Sequence, residues 1–315
     1  MHRRRRPRAL IVGVALLAAA CGADDADPAD DALDPPAVTV TAAQDTASTT
    51  TAATGSAASG TTDETGTDTE ARWPEPLESL DPAAPARWTV EVLGTAPHDP
   101  EAFTQGLEPL GDDRLLESTG RRGESDIRIV DPTTGEVEQL VPLEDEEFGE
   151  GLTIVGDTVI QLTFEEEIAR RWTLPDLEPL PSFSYSGQGW GLCLLDDRLA
   201  MTDGSSLLEW RDPETFEVID AVEVVRNGQP IVQVNELECL DGHVMANIWK
   251  TSEIIVIRPD GAVVATIDAS ELVDTIDSGN PNTETLNGIA AHPDGTFSLT
   301  GKLWPTLFVV RVVAG

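Results

Sequence analysis

Five short motifs recur along this 315-residue chain, and a fold must place them in equivalent settings. They read Gln105-Gly106-Leu107, Glu150-Gly151-Leu152, Trp190-Gly191-Leu192, Asn235-Glu236-Leu237 and Asn287-Gly288-Ile289, with successive spacings from Leu107 of 45, 40, 45 and 52 residues. After each comes a short apolar run, a turn rich in Asp and Gly, and a second run ending in small polar residues. Those second runs end near Ser118-Thr119, Leu162-Thr163, Met201-Thr202, Ala246-Asn247 and Leu299-Thr300. Further short runs follow, as at residues 126–130 and 136–141, and no long stretch carries a helical period, so the chain reads as all-β. A unit of 40–50 residues with four antiparallel strands is one propeller blade. Five such units over residues 86–315 average 46 residues each. The last stops at a third strand, residues 308–313, and the run 88–93 ahead of the first anchor can supply its partner. The expected fold is therefore an all-β, five-bladed β-propeller of four-stranded antiparallel blades. Its last blade is closed by an N-terminal strand, a device that protects sheet edges. A two-sheet sandwich would leave the five anchors unexplained.

The residues ahead of the repeat have a different character. A basic start, Met1-His2-Arg3-Arg4-Arg5-Arg6, precedes an apolar run at residues 10–20, the pattern of a secretory signal over residues 1–21. Ala18-Ala19-Ala20-Cys21 resembles a bacterial lipoprotein cleavage box, which would make Cys21 a lipidated first residue, although Leu17 stands one place too early. The alternative is a plain secreted protein. Residues 22–72 hold no aromatic residue and are mostly Ala, Thr, Asp, Gly and Ser, a composition that cannot offset chain entropy by burial. They are expected to form a disordered acidic linker, with the catalytic domain at 73–315. The expected location is secreted or at the cell surface, with membrane contact only through a lipid anchor at Cys21, and the expected state is a monomer.

The net charge is −37, and 46 acidic against 14 basic residues follow position 72, so the acidity belongs to the repeat region. Such a balance excludes a nucleic-acid binder. Cys193 and Cys239 can pair once or sit as two small buried residues, and their sparse usage favours the second reading. The four histidines lack metal-ligand spacing.

In a propeller, equivalent positions on the innermost strands converge at one mouth. Here they hold Gln105, Glu150, Trp190, Asn235 and Asn287, and the second-strand ends add Phe164, Trp249 and Lys302. One carboxylate, one of only two lysines, three amides and several aromatic rings suit work on a small polar substrate. The Glu could move a proton, the Lys and amides could hold a developing oxyanion, and the rings could exclude water. Each also has a plainer reading, as a solvated acid, a core aromatic, a backbone-satisfying amide or a surface lysine.

The anchors and their flanks resemble the plant-type and bacterial glutaminyl-peptide cyclotransferases, the glutaminyl cyclases. The matching segments include Phe103-Thr104-Gln105-Gly106-Leu107, Phe148-Gly149-Glu150-Gly151-Leu152, Gly189-Trp190-Gly191-Leu192, Asn235-Glu236-Leu237-Glu238, Ala246-Asn247-Ile248-Trp249, Leu286-Asn287-Gly288-Ile289 and Thr300-Gly301-Lys302-Leu303-Trp304-Pro305. Their order is kept across residues 98–305. The resemblance implies cyclisation of an N-terminal glutamine of peptides or proteins to pyroglutamate with release of ammonia. It makes Glu150 the acid/base, places Gln105, Asn235 and Lys302 around the substrate, and gives Phe103, Phe148, Trp190 and Trp249 to the pocket walls. It implies no cofactor for catalysis and a structural calcium in the channel. Two departures bear on substrate preference: Phe164-Glu165 stands where the family usually has Trp-Lys, and Arg121-Arg122 where it commonly has Leu-Tyr.

Two rivals share the fold. One is a non-catalytic, surface-tethered propeller that binds a ligand or protein. The other is a lactone-type hydrolase, whose channel calcium would need more carboxylates than the anchors offer.

Overall fold

The computed structural model describes residues 72–111, 113–276 and 285–315. The signal, the lipidation position Cys21 and the linker up to residue 71 lie outside the described residues. The strands fall in chain order. β1 spans Ala86–Pro97; β2–β5 span Thr104–Pro109, Leu115–Thr119, Asp126–Val130 and Val137–Pro142. Next come β6–β9, Gly149–Val155, Thr158–Thr163, Ile168–Thr173 and Pro179–Ser184. β10–β13 cover Leu192–Leu195, Arg198–Thr202, Leu207–Arg211 and Val218–Glu223. A small hairpin, β14 (Val225–Arg226) and β15 (Gln229–Pro230), leads to β16–β19 at Val234–Leu240, His243–Ile248, Glu253–Ile257 and Val263–Asp268. After a six-residue helix α1 (Ser270–Thr275), the chain ends with β20 (Leu286–Ala291), β21 (Phe297–Gly301) and β22 (Thr306–Ala314).

Three four-stranded antiparallel sheets, β2–β5, β6–β9 and β10–β13, stand beside an eight-stranded sheet of order β16-β17-β18-β19-β1-β22-β21-β20. Within the latter, β1 runs parallel to β19 through Ala86↔Ala265 and antiparallel to β22 through Val90↔Val312. The first strands touch in succession, β2 with β6, β6 with β10, β10 with β16, β16 with β20, and β20 again with β2. Apolar clusters fill the seams, such as Leu116, Ile127, Leu152 and Val159 between the first two sheets, and Leu107, Leu115, Ala290 and Leu307 where the last strands meet the first. Burial falls outward: β2 begins with four buried residues, whereas β9 and β13 are mostly exposed.

The anchor motifs sit where the first strands nearly collide. A Cβ on Gly151 would lie 2.6 Å from the Trp190 carbonyl oxygen and 2.8 Å from Gly191 Cα; one on Gly191 would lie 2.1 Å from the Asn235 carbonyl oxygen. Only glycine permits that approach. Cys193 on β10 and Cys239 on β16 form a disulfide across the neighbouring first strands. The sequence favoured two unpaired residues; strand register, invisible in the spacing, brings their Cα atoms to 5.4 Å. At the N-terminal side, the Trp73 ring stacks on Trp88 at 5.6 Å and Arg72 donates to the His292 carbonyl at 2.8 Å.

Because the atoms facing Gly151 are backbone, they cannot move aside. Gly151→Ala is expected to lower unfolding free energy by about 1–3 kcal/mol in urea denaturation. Gly94→Ala, whose Cβ meets nothing within 4 Å, is expected to change it by less than about 0.5 kcal/mol.

Candidate active site

The register of the first strands slips at the anchors. Pairing jumps from Thr104↔Thr119 to Gly106↔Ser118, from Gly149↔Thr163 to Leu152↔Gln161, from Val234↔Ile248 to Leu237↔Ala246, and from Leu286↔Gly301 to Ile289↔Leu299. Gln105, Glu150, Asn235 and Asn287 are left out of the ladder, the last three together with the residue that follows each, Gly151, Glu236 and Gly288. Such bulges re-aim side chains and recur beside active sites. All four are nearly inaccessible, at 1–3% exposure, so each polar atom needs a partner inside the protein or from a ligand.

A chain of amides reaches the carboxylate. Asn287 Nδ2 donates to the Thr104 carbonyl at 2.9 Å and to Gln105 Oε1 at 3.4 Å, which turns the Gln105 amide nitrogen toward Glu150 Oε1 at 3.3 Å. Phe148 packs edge-on to Phe103 at 6.1 Å and tilted on Phe164 at 6.0 Å. Lys302 Nζ stands 4.7 Å over the Phe103 ring, and Lys302 is 1% exposed. Trp190 and Trp249 form a second aromatic pair at 5.6 Å. Gly120 gives Phe148 its place beside Gln105, since a Cβ there would lie 2.4 Å from the ring and 3.1 Å from Gln105 Cγ.

Asn235 Oδ1, Asn287 Oδ1 and Trp249 Nε1 are buried with no hydrogen-bond partner among the described residues. Three of the residues singled out by the repeat thus carry unspent hydrogen-bonding capacity. Such groups take a partner from ordered water or a bound ligand in native interiors, and away from the anchors Trp88 Nε1 and Trp210 Nε1 stand in the same condition.

The glutamine cyclotransferase family model matches residues 63–312. The chain belongs to that family. It is 39% identical over 227 residues to glutaminyl-peptide cyclotransferase of Arabidopsis thaliana, a match covering 71% of each chain. It also superposes on the crystal structure of Myxococcus xanthus glutaminyl cyclase with a TM-score of 0.70 and 36% identity, covering 74% of this chain and 100% of that one. At the two departures from the family pattern, Phe164 stays buried against Phe148, Arg121 lies 4.9 Å over the Phe103 ring, and Arg122 pairs with Glu166 at 2.7 Å.

In this member of the glutamine cyclotransferase family the inner strands also carry Glu236 and Glu238, both buried, and the half-buried Glu108, acids that the anchor reading passed over. Glu236 takes the place that glycine holds in the other anchors. It accepts the Leu107 amide at 3.3 Å and the Ile289 amide at 3.1 Å, so one side chain of β16 ties β2 and β20 together. Glu238 accepts from Ala291 at 3.1 Å, and Glu108 from Ile154 at 2.9 Å. These oxygens satisfy N–H groups on inner strand edges that no neighbouring strand pairs. The inner strands therefore hold more carboxylates than the anchors suggested, so the count that argued against a channel calcium does not stand. The signal for Glu236 and Glu238 was an acid alternating with apolar residues in the strand Val234–Leu240. The donor set nevertheless does not fit a ready calcium cage. Both Glu236 oxygens are engaged by amides, and among the described residues no three His, Cys, Asp or Glu side chains are grouped as metal ligands.

Burial drives the carboxyl groups of Glu236 and Glu238 well above the ordinary carboxylate range, and pushes Glu108 up to about 7. The folded state keeps a proton on Glu108 that the unfolded chain releases near 4.5. This contribution is present at acid pH and is lost as pH rises from about 4.5 through about 7. Glu108→Gln keeps an acceptor for Ile154. It is expected to leave stability near pH 4 unchanged and to raise it near pH 8, by on the order of 1–3 kcal/mol, read by urea denaturation.

Proposed function

We propose that this chain converts the N-terminal glutamine of peptides and proteins to pyroglutamate and releases ammonia, with Glu150 as the acid/base. The observation that carries the assignment of roles is the bulge-borne amide chain that aims Gln105 at the buried Glu150 carboxylate. The names of the two relatives, a glutaminyl-peptide cyclotransferase and a glutaminyl cyclase, support the reaction.

In this reading the neutral α-amine attacks the side-chain amide carbon, forming a C–N bond and a tetrahedral oxyanion. Glu150 takes the proton that the attacking nitrogen sheds. It then delivers that proton to the amide nitrogen as the old C–N bond breaks, so ammonia leaves and the carboxylate is restored. Lys302 with an amide, Asn235 being the candidate, faces the developing oxyanion. Unpartnered Asn235 Oδ1, Asn287 Oδ1 and Trp249 Nε1 supply further hydrogen-bonding positions for the glutaminyl group. Phe103, Phe148, Phe164, Trp190 and Trp249 form apolar walls that keep water from the reacting amide. No step requires a metal or redox cofactor.

The same reading takes the fold as a five-bladed propeller. The β16–β19 half of the large sheet is one blade, β20–β22 with β1 the last, and β1 is the closing strand. The cyclic succession of first-strand contacts supports it. The signal at residues 1–21 and the linker beyond it make the enzyme secreted or tethered through Cys21, with the domain acting as a monomer.

Glu150→Gln is expected to cut kcat for ammonia release from a Gln-Ala dipeptide by at least about 10²-fold in a coupled assay, the lower bound for losing a positioned acid/base. Lys302→Met is expected to cost about 10²–10³-fold, as for an oxyanion donor. Dipeptide binding without ammonia release by the wild-type chain would instead favour a non-catalytic binding module.

A further inference from the structure

Lys302 sits on a strained turn. Leu303, next to it, adopts φ +61°, a left-handed conformation that costs a residue of this kind free energy unless its surroundings impose it. What imposes it comes from the segment between β1 and β2. The Leu303 amide donates to the Ala102 carbonyl at 2.8 Å, the His98 amide donates to the Pro305 carbonyl at 3.0 Å, and the His98 ring holds the Trp304 carbonyl at 2.7 Å through Nδ1. On its other side, His98 Nε2 meets Glu117 Oε1 at 3.0 Å, and the same oxygen accepts the Thr104 hydroxyl at 2.7 Å. Thr104 precedes the bulged Gln105.

We propose that His98 is a positioning residue for the cyclisation: its ring clamps the Lys302 turn to the first bulged strand, and it affects rate through the placement of Lys302. The proposal rests on the functional reading above, in which Lys302 faces the oxyanion. Neither ring nitrogen meets a donor; one faces a carbonyl and the other a carboxylate. Only the imidazolium, with a proton on each nitrogen, satisfies both. Burial alone would push His98 down, but the charge and hydrogen bond of Glu117, the Trp304 carbonyl and Asp99 outweigh it, and its pKa is raised. Burial would likewise raise Glu117, and His98, Arg128 and Thr104 together hold it below the usual range. The charged groups around the pair are Asp99 on the same segment, Glu117 on β3, and Arg128 with Asp126 on β4; Arg128 Nη1 meets Asp99 at 2.8 Å. The clamp is therefore an ion pair between His98 and Glu117 on β3, to which the Lys302 turn is tied through the Trp304 carbonyl. A displacement of about 1 Å in a group facing the transition state costs on the order of 10²-fold in rate.

The test combines side-chain nitrogen NMR with kinetics on the full chain. With four histidines in the sequence the ring spectrum is simple to assign. His98 is expected to carry protons on both nitrogens at neutral pH, and Glu117→Gln to abolish that signature. A single neutral tautomer in the wild type would overturn the clamp. With a Gln-Ala dipeptide, His98→Gln and Glu117→Gln are each expected to lower kcat by about 10²-fold with KM changed less than about twofold. In a Lys302→Met background, His98→Gln is expected to add almost nothing, because the two act as one unit. Fully additive losses, or a folded His98→Gln variant with wild-type kcat, would overturn the proposal. Should His98→Gln lose its cooperative thermal transition, Glu117→Gln, which keeps shape and removes only charge, decides in its place. If the wild type releases no ammonia, the functional reading fails, and the NMR signature still judges the clamp by itself.

Discussion

The first strands of neighbouring sheets approach until backbone meets backbone, and most of this molecule's chemistry follows from that closeness. Where Gly151 lies against Trp190 and Gly191, and Gly191 against Asn235, no side chain fits between the strands. At the same points the ladder slips, so Gln105, Glu150, Asn235 and Asn287 leave the pairing pattern. Crowding and slippage together set buried polar side chains at matching positions on successive first strands. A functional side chain placed this way is held by the backbone of its own sheet and by the strand beside it. It needs no loop to position it.

The same crowding explains why an acidic chain buries acids. Inner strand edges expose N–H groups that no strand pairs, and side-chain oxygens answer them: Glu108 for Ile154, Thr153 for Leu194, Glu236 for Leu107 and Ile289, Glu238 for Ala291. Glu236 is the instructive case. Its neighbours' equivalents are glycine, yet the carboxylate crosses to two other strands and replaces contact by hydrogen bonding. Holding such groups out of water raises their proton affinity, so the scaffold under the site responds to pH independently of the reacting groups.

Much of the architecture was legible because close approach leaves a mark in the sequence. Glycine before leucine, repeated at blade-like intervals, located the inner strands, and the residue before it located the bulges. In the anchor starting at Asn235, Glu236 replaces the glycine for a physical reason that only register reveals. The disulfide was not legible, since two cysteines 46 residues apart say nothing about facing strands. The role of His98 was not legible either, because its partners Glu117 and Trp304 lie 19 and 206 residues away. Long-range polar pairs of this sort leave no periodicity, whereas hydrophobic alternation and turn chemistry do.

The course of β1 settles a question of presentation. Its C-terminal end, Pro97, pairs with Thr306 next to the Lys302 turn. Its beginning lies at the other end of the strand, where the Gly315 amide donates to Arg87 and Trp88 pairs with Ala314. Trp73 and Arg72 stay at that far end, against Phe297, the His292 carbonyl and Asp241. The polypeptide therefore enters the domain on the face opposite the bulged anchors. Whatever precedes Arg72 thus joins the domain away from Gln105, Glu150, Asn235 and Asn287.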